Sequence, residues 1–258
     1  MGTLFSALDI AHSGMLASQV QLDTAGHNIA NVNTEGYSRQ RVNLAARYPI
    51  LKQYGAIGRG VQIQEIERLR DKFLDTAFRQ QVPGLGDAEV RATYFTRMED
   101  ILQEPSDDAL GGRINDFFNA LNDLADNAEE APVRLSAVAE AQSLATALRG
   151  AADRLRLLRT NANEEARDMV PEINSLAERI ATINVHIRQA ETSGVTANDM
   201  RDERDLLVDQ LAKMVNVTVR ERPDGQTTVL LGGDELVNGD RARQLVAVRN
   251  TAIDPERP

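Results

Sequence analysis

Between Val138 and Ala190 apolar residues recur at alternating steps of three and four. The series is Val138, Ala141, Ala145, Leu148, Ala152, Leu155, Arg159, Ala162, Ala166, Met169, Ile173, Leu176, Ile180, Ile183, Ile187 and Ala190, and Arg159 is its one polar member. Seven heptads of this period specify long helix packed on helix. Leu148, Leu155, Met169, Ile173, Leu176, Ile180, Ile183 and Ile187 are the predicted core of that assembly. A helix over 138–190 spans ~80 Å at ~1.5 Å per residue. A compact chain of 258 residues has a radius of gyration of about 18 Å, so the stripe predicts an elongated rod. Pro171 sits inside it, deletes one backbone hydrogen bond and clashes with the carbonyl of Arg167. A kink or break is expected near 167–170.

A second seam opens the chain through Leu4, Leu8, Ala11, Met15, Ser18, Leu22, Ala25, Ile29 and Val32, interrupted only by Ser18. Gly14 and Gly26 each cost such a helix about 1 kcal/mol relative to Ala, so it needs a partner to bury its seam. Asn33, Thr34 and Gly36 supply end and turn chemistry. Residues 40–67 then read as short strands and turns. Arg41 to Leu44 and Val61 to Glu65 alternate, and Gly55 to Gly60 form a glycine-rich turn between strands. Helix returns near Asp71 and runs to about Gln103, with a break at Pro83-Gly84-Leu85-Gly86. The next helix carries Ile114, Phe117, Phe118, Leu121 and Leu124 on one face and ends before Pro132. A shorter helix from Asn198 to Met214 follows, with Thr196 and Asp199 at capping-box spacing. The period then changes to two. Val215, Val217 and Val219 alternate, Pro223-Asp224-Gly225 turns the chain, Thr227, Val229 and Leu231 return, and a last strand is expected around Leu245 to Val248. The expected fold is mainly α with a smaller β part. Its segments are an N-terminal heptad helix with its turn (1–39), a short-strand segment (40–70), an elongated helical bundle rod (71–214) and the start of a β domain (215–258).

The residue inventory narrows the chemistry. There is no cysteine, which removes disulfides, thiolate nucleophiles and Cys-ligated metals. A net charge of -10 repels phosphate backbones and anionic lipid, so nucleic acid is not an expected partner. No apolar run approaches the ~20 residues of a spanning helix. His12, His27 and His186 fall in no metal-ligand spacing, and Gly55 to Gly60 lacks the Gly-Lys-Ser/Thr of a phosphate loop. Phe117 and Phe118 read as core residues. The acidic run Asp199, Asp202, Glu203, Asp205 and Asp209 lacks the ligand pattern of a calcium loop. With Arg201 four residues before Asp205, it reads as a solvated, self-paired helix face. No catalytic constellation, cofactor site or metal site is expected.

The stretch Asn28-Ile29-Ala30-Asn31-Val32-Asn33-Thr34-Glu35-Gly36-Tyr37-Ser38-Arg39-Gln40 resembles the N-terminal signature of bacterial flagellar axial proteins, the rod, hook and hook-associated proteins. Its candidate signature residues are Asn28, Asn31, Asn33, Thr34, Gly36, Tyr37, Arg39 and Gln40, following a heptad helix as in that family. Gly60-Val61-Gln62-Ile63 leading to Arg70-Asp71-Lys72-Phe73-Leu74 is similar to the family's step from β segment to helix. Asp116 to Leu121, Ala131-Pro132-Val133-Arg134, the long stripe and Asn198 to Leu207 resemble its hook-associated members. The resemblance covers about residues 3–240.

The resemblance implies a non-enzymatic structural role in a ring that joins hook to filament. The implied partners are further copies of the chain, the hook protein, another hook-associated junction protein, and the flagellar export apparatus with its chaperone. Export is expected to proceed without a cleaved signal peptide, the first Lys or Arg being Arg39. The implied location is the extracellular flagellum, with no membrane insertion. Leu4, Leu8, Ala11, Met15, Leu22, Ala25, Ile29 and Val32 would pack in the inner tube. Family members carry a second heptad helix near the C-terminus, and none is legible after Val248, so the chain is expected to correspond to an N-terminal portion. Two alternatives stay open: another axial protein of the rod or hook, and a cytosolic coiled-coil adaptor. A β-dominated circular dichroism spectrum would favour the former, and presence in the shed flagellar fraction would eliminate the latter.

Overall fold

The computed structural model describes residues 3–102, 109–192 and 194–248. Among them are five helices and eight strands, a mainly α fold with a smaller β part. The chain forms two compact units. The first takes residues up to Pro83 and resumes at Glu172–Val246, and the second holds Gly84–Pro171. The crossings within α2 (Lys72–Leu102) and α4 (Ala131–Glu191) each fall at a proline, Pro83 and Pro171.

The first unit opens with α1 (Thr3–Ala30). Strands β1 (Gln40–Ala46) and β4 (Val61–Arg68) pair antiparallel with a bulge at Asn43/Leu44, and β2 (Ile50–Lys52) pairs with β3 (Gly55–Ile57) as an exposed hairpin. The glycine-rich stretch is therefore part strand: Gly55, Ala56 and Ile57 pair with Ile50 to Lys52 across a turn at Gln53 and Tyr54, and Gly58 to Gly60 lead into β4. Helix α2 (Lys72–Leu102) starts where the Asp71 carboxylate accepts the Phe73 N–H at 2.8 Å, the chemistry of an N-cap. The expected break at 83–86 is absent. A proline deletes one i→i−4 bond, here to the Arg79 carbonyl, and a helix of 31 residues outlasts that loss. The predicted end at Gln103 lies outside the described residues.

The core of this unit lies between the end of α4 (Ala131–Glu191), α5 (Asn198–Met214) and a four-stranded antiparallel sheet. The sheet runs β5 (Val217–Glu221), β6 (Thr227–Leu231), β7 (Asp234–Asn238) and β8 (Arg241–Ala242) in sequence order. Ile173, Leu176, Ile180, Ile183 and Ile187 of α4 meet Leu207, Val208 and Leu211 of α5 and Val217, Val229 and Val237 of the sheet. Two asparagines on α4 tie helix to sheet by acting as backbone surrogates. Asn184, fully buried, donates to the carbonyls of Thr227 (2.9 Å) and Gly239 (2.7 Å) and accepts the Thr227 N–H (3.1 Å). Asn174 exchanges the same pair of bonds with Leu245, at 3.0 and 2.8 Å. Leu245 to Val248 form no strand, and at Leu245 the Asn174 side chain holds the N–H and the carbonyl that a strand partner would use.

In the second unit, α2 continues from Gly84, α3 (Leu110–Asp126) follows, and α4 runs from Ala131 without a break at Pro171. Pro132 falls in the first turn of α4, where its missing N–H costs nothing. Tyr94 donates to Glu165 at 2.6 Å, Arg97 pairs with the same carboxylate, and its guanidinium lies 4.9 Å from the Tyr94 ring. This half of the stripe departs from its predicted register. Leu148, Leu155 and Met169 are each at least a third exposed, Leu148 reaching 46%, while Ala137 and Leu158 are buried. Those two stand three heptads apart and one position before the predicted series. Phe117 is half-buried and Phe118 exposed, so neither is a core residue here.

Candidate assembly surface and its anchor

Helix α1 packs by its polar side. Ser13, Ala17 and Thr24 are its buried residues, and it lies on β1 and β4. The Ser13 hydroxyl donates to the Ile10 carbonyl (2.8 Å) and accepts the Val61 N–H (3.2 Å). The approach requires glycine at the next position along the sheet, since Gly60 has φ +90° and a Cβ there would lie 2.2 Å from Ser13 Oγ. The heptad seam faces the other way. Leu8, Met15, Leu22, Ile29 and Val32 are exposed, Ile29 at 74%, as are Ala11 and Ala25. The Leu4 side chain lies outside the described residues. A leucine or isoleucine moved from water into a packed interface contributes about 1.5–3 kcal/mol, so this stripe is a large unspent driving force for helix association.

The signature segment folds as a knot at the end of α1. Asn28 acts on Gln40 as Asn184 acts on Thr227: its Oδ1 accepts the Gln40 N–H (2.8 Å) and its Nδ2 donates to the Gln40 carbonyl (2.9 Å). Oδ1 also accepts the Tyr37 hydroxyl at 2.8 Å. Burial, with Asp199 and Asp202 nearby, raises the Tyr37 pKa and keeps that donor protonated. Asn31 donates to the His27 carbonyl and accepts from the Thr34 hydroxyl. The Arg39 carbonyl accepts the Leu69 N–H (2.8 Å) while its side chain is exposed, and Asn33 is exposed in the turn.

The knot rests on α5, and here the acidic run differs from its sequence reading. Asp202 (4% exposed) and Asp205 are buried, not solvated. Their partners come from far along the chain. Arg68 bonds Asp202 (2.7 Å) and Asp205 (2.9 Å), Arg70 bonds Asp75 and Asp209, and Arg79 bonds Asp209 at 2.6 Å. Arg201 turns from Asp205 to Glu191 and Glu221. Burial favours the neutral acid at Asp205, but Arg204, Arg68 and Arg70 outweigh it and hold the carboxyl below its usual range. Arg204 (3% exposed) donates to the Gly225 carbonyl at 2.7 Å, and burial pulls its pKa down against Asp205 and Glu221. The capping box is absent. Asp199 accepts instead from Gln40 Nε2 (2.6 Å) and contacts His27 (3.2 Å), charge-assisted bonds that outcompete a local cap.

Sequence reasoning missed Arg68, Arg70 and Arg79 as partners of α5. The available signal was Asp199, Asp202, Asp205 and Asp209 on one helix face, opposite a cluster of arginines in an otherwise acidic chain. Among the described residues no group of three His, Asp or Glu is placed to hold a metal ion, and no helix is long and apolar enough to cross a membrane.

Residues 8–37, which hold most of α1 and the start of the signature, match the family described as flagella basal body rod protein. Residues 95–258, more than half of the chain, match the helical domain of flagellar hook-associated protein FlgK. The chain belongs to that family. It is 34% identical over 232 residues to flagellar hook-associated protein 1 of Bacillus subtilis, covering 87% of this chain and 46% of the relative. It is 32% identical over 255 residues to the protein of that name from Salmonella typhimurium, covering 98% and 46%. The flagellar hook junction protein FlgK of Burkholderia pseudomallei has a similar structure, with a TM-score of 0.54 and 29% identity over 66% of this chain and 30% of that one. The chain thus spans about half the length of the curated relatives it matches.

Proposed function

We propose that the chain is a structural component of the flagellum that joins hook to filament, working by helix packing and subunit stacking rather than by turnover. The observation that carries this is the exposed seam of α1: Leu8, Met15, Leu22 and Ile29 face outward while the opposite side of the same helix is pinned by Ser13, Ala17 and Thr24. A stripe of heptad period left open in this way is a surface for another helix. In this reading residues 1–39 enter the inner tube, 40–70 link it outward, 71–214 form the surrounding rod and 215–258 begin an outer β domain. Further copies complete a ring, the hook protein and another hook-associated protein contact its two faces, and subunits reach the extracellular flagellum through the flagellar export apparatus. The names of the relatives, hook-associated protein 1 and hook junction protein, support the location.

The test is Leu22→Asp or Ile29→Asp in the protein within its bacterium. Both side chains are nearly three-quarters exposed, so each variant should keep its melting temperature within about 2 °C, as surface substitutions do, and lose filament growth. Full filament growth in either variant would overturn the inner-tube assignment.

A further inference from the structure

Three contacts between the signature and α5 form a regular series. Gly36 (φ +80°) lies on Leu206, where a Cβ would come within 2.9 Å of the Leu206 Cβ. The Ser38 N–H donates to Asp202 Oδ2 at 2.8 Å. Gln40 Nε2 donates to Asp199 Oδ1 at 2.6 Å. On the signature these are every second residue, met through the bare Cα of Gly36, the backbone N–H of Ser38 and the side chain of Gln40. On α5 they stand at i, i+3 and i+7, the spacing of one helix stripe. The two run antiparallel. Asp202 also bonds Arg68 through its other oxygen, so one carboxylate joins the signature to the end of β4.

We infer that the signature is a docking segment and that the stripe Asp199, Asp202 and Leu206 of α5 is its receptor within the same chain. Alternate signature residues present, in order, no side chain at Gly36, a backbone N–H at Ser38 and a carboxamide at Gln40. The stripe answers with an apolar side chain and two carboxylates. Because the signature directly follows α1, this docking fixes the direction in which the seam is presented. Asp199, Asp202 and Gln40 are positioning residues for whatever the seam engages, and the inference stands whether or not that surface belongs to a hook–filament junction.

The experiment is amide hydrogen exchange on the whole chain. Asp199 is the residue to change, because its side chain is 64% exposed and, among the described residues, its bonds run to Gln40 of the signature and His27 of α1. In Asp199→Ala the amides of Ser38 and Gln40 should exchange at least tenfold faster while those of Leu207 and Leu211 stay within threefold of the parent. Gln40→Ala should do the same, and the double variant should add nothing further, the signature of two groups that act only through each other. Asp199→Asn keeps an oxygen for Gln40 Nε2 and should stay within threefold. Unchanged exchange in Asp199→Ala, or additive effects in the double variant, would overturn the docking. Equal acceleration in the α5 core would also overturn it, showing the segment to be part of the body rather than docked upon it.

Discussion

Replacing Asn184 by Leu tests the claim that asparagine side chains stand in for strand partners. Leucine keeps the branching at Cγ and fills the site with some overpacking, while three hydrogen bonds disappear and the Thr227 N–H, the Thr227 carbonyl and the Gly239 carbonyl lose this partner. Asn184 is fully buried and Thr227 nearly so, so water does not replace the two bonds to Thr227. An unsatisfied buried group costs about 1–3 kcal/mol. Allowing one of the three to find water at the Gly239 turn, the loss is ~2–6 kcal/mol, more than about tenfold in an opening equilibrium at ~1.4 kcal/mol per decade. The assay is amide exchange along β6, where protection at Val229 and Leu231 should fall by at least that factor. Asn184→Asp should be no better, since it loses both donors and buries a charge. Protection within threefold of the parent in Asn184→Leu would refute the surrogate argument.

Other expectations follow from the same packing. Ile180→Ala, at a fully buried site, should cost about 2–5 kcal/mol in urea unfolding, whereas Leu148→Ala on the same predicted stripe should cost under about 1 kcal/mol. Gly60→Ala should loosen α1, seen as faster proteolysis within residues 3–30, because its φ and the Ser13 hydroxyl leave no room for a Cβ. Gly84→Ala, inside α2 with open space around it, should raise stability by roughly 0.5–1 kcal/mol. The carboxyls of Asp205 and Glu191 are both held low: burial opposes this in each, but Arg204, Arg68 and Arg70 prevail at the first and Arg201 at the second. A lowered folded pKa stabilises above the unfolded value and is lost as pH falls through the folded one. Melting temperature should therefore be flat from neutral pH to about 5 and drop below about pH 4, and no acid loss in that window would refute the role of these pairs.

Periodicity was legible where local pattern and tertiary packing agree. Ile173 to Ile187 repeat at heptad spacing and are buried because α5 and the sheet lie over them, and the change to period two after Val215 marks the hairpins. It misled where burial depends on what lies alongside. The seam from Val138 to Met169 and the buried line through Ala137 and Leu158 differ by one position, about 100° around a helix of 3.6 residues per turn. The acidic run shows the larger gap. An i,i+4 rule pairs Arg201 with Asp205, but the arginines that matter are 134 and 137 positions away in the case of Arg68. Fixing several guanidiniums around one buried carboxylate needs the fold first. The signature residues were visible as a pattern, whereas their bonds to α5 were not, since nothing local to residues 36–40 announces a helix that begins at Asn198.

The open stripe on α1 sits on a polypeptide carrying ten more negative than positive side chains. Copies approaching in dilute buffer repel one another over a range set by the ionic atmosphere, about 10 Å at 0.1 M and ~3 Å at 1 M, while attraction between oily faces needs no counter-ion. Dissolved electrolyte thus becomes a control on association, holding molecules apart when scarce and letting them meet when abundant.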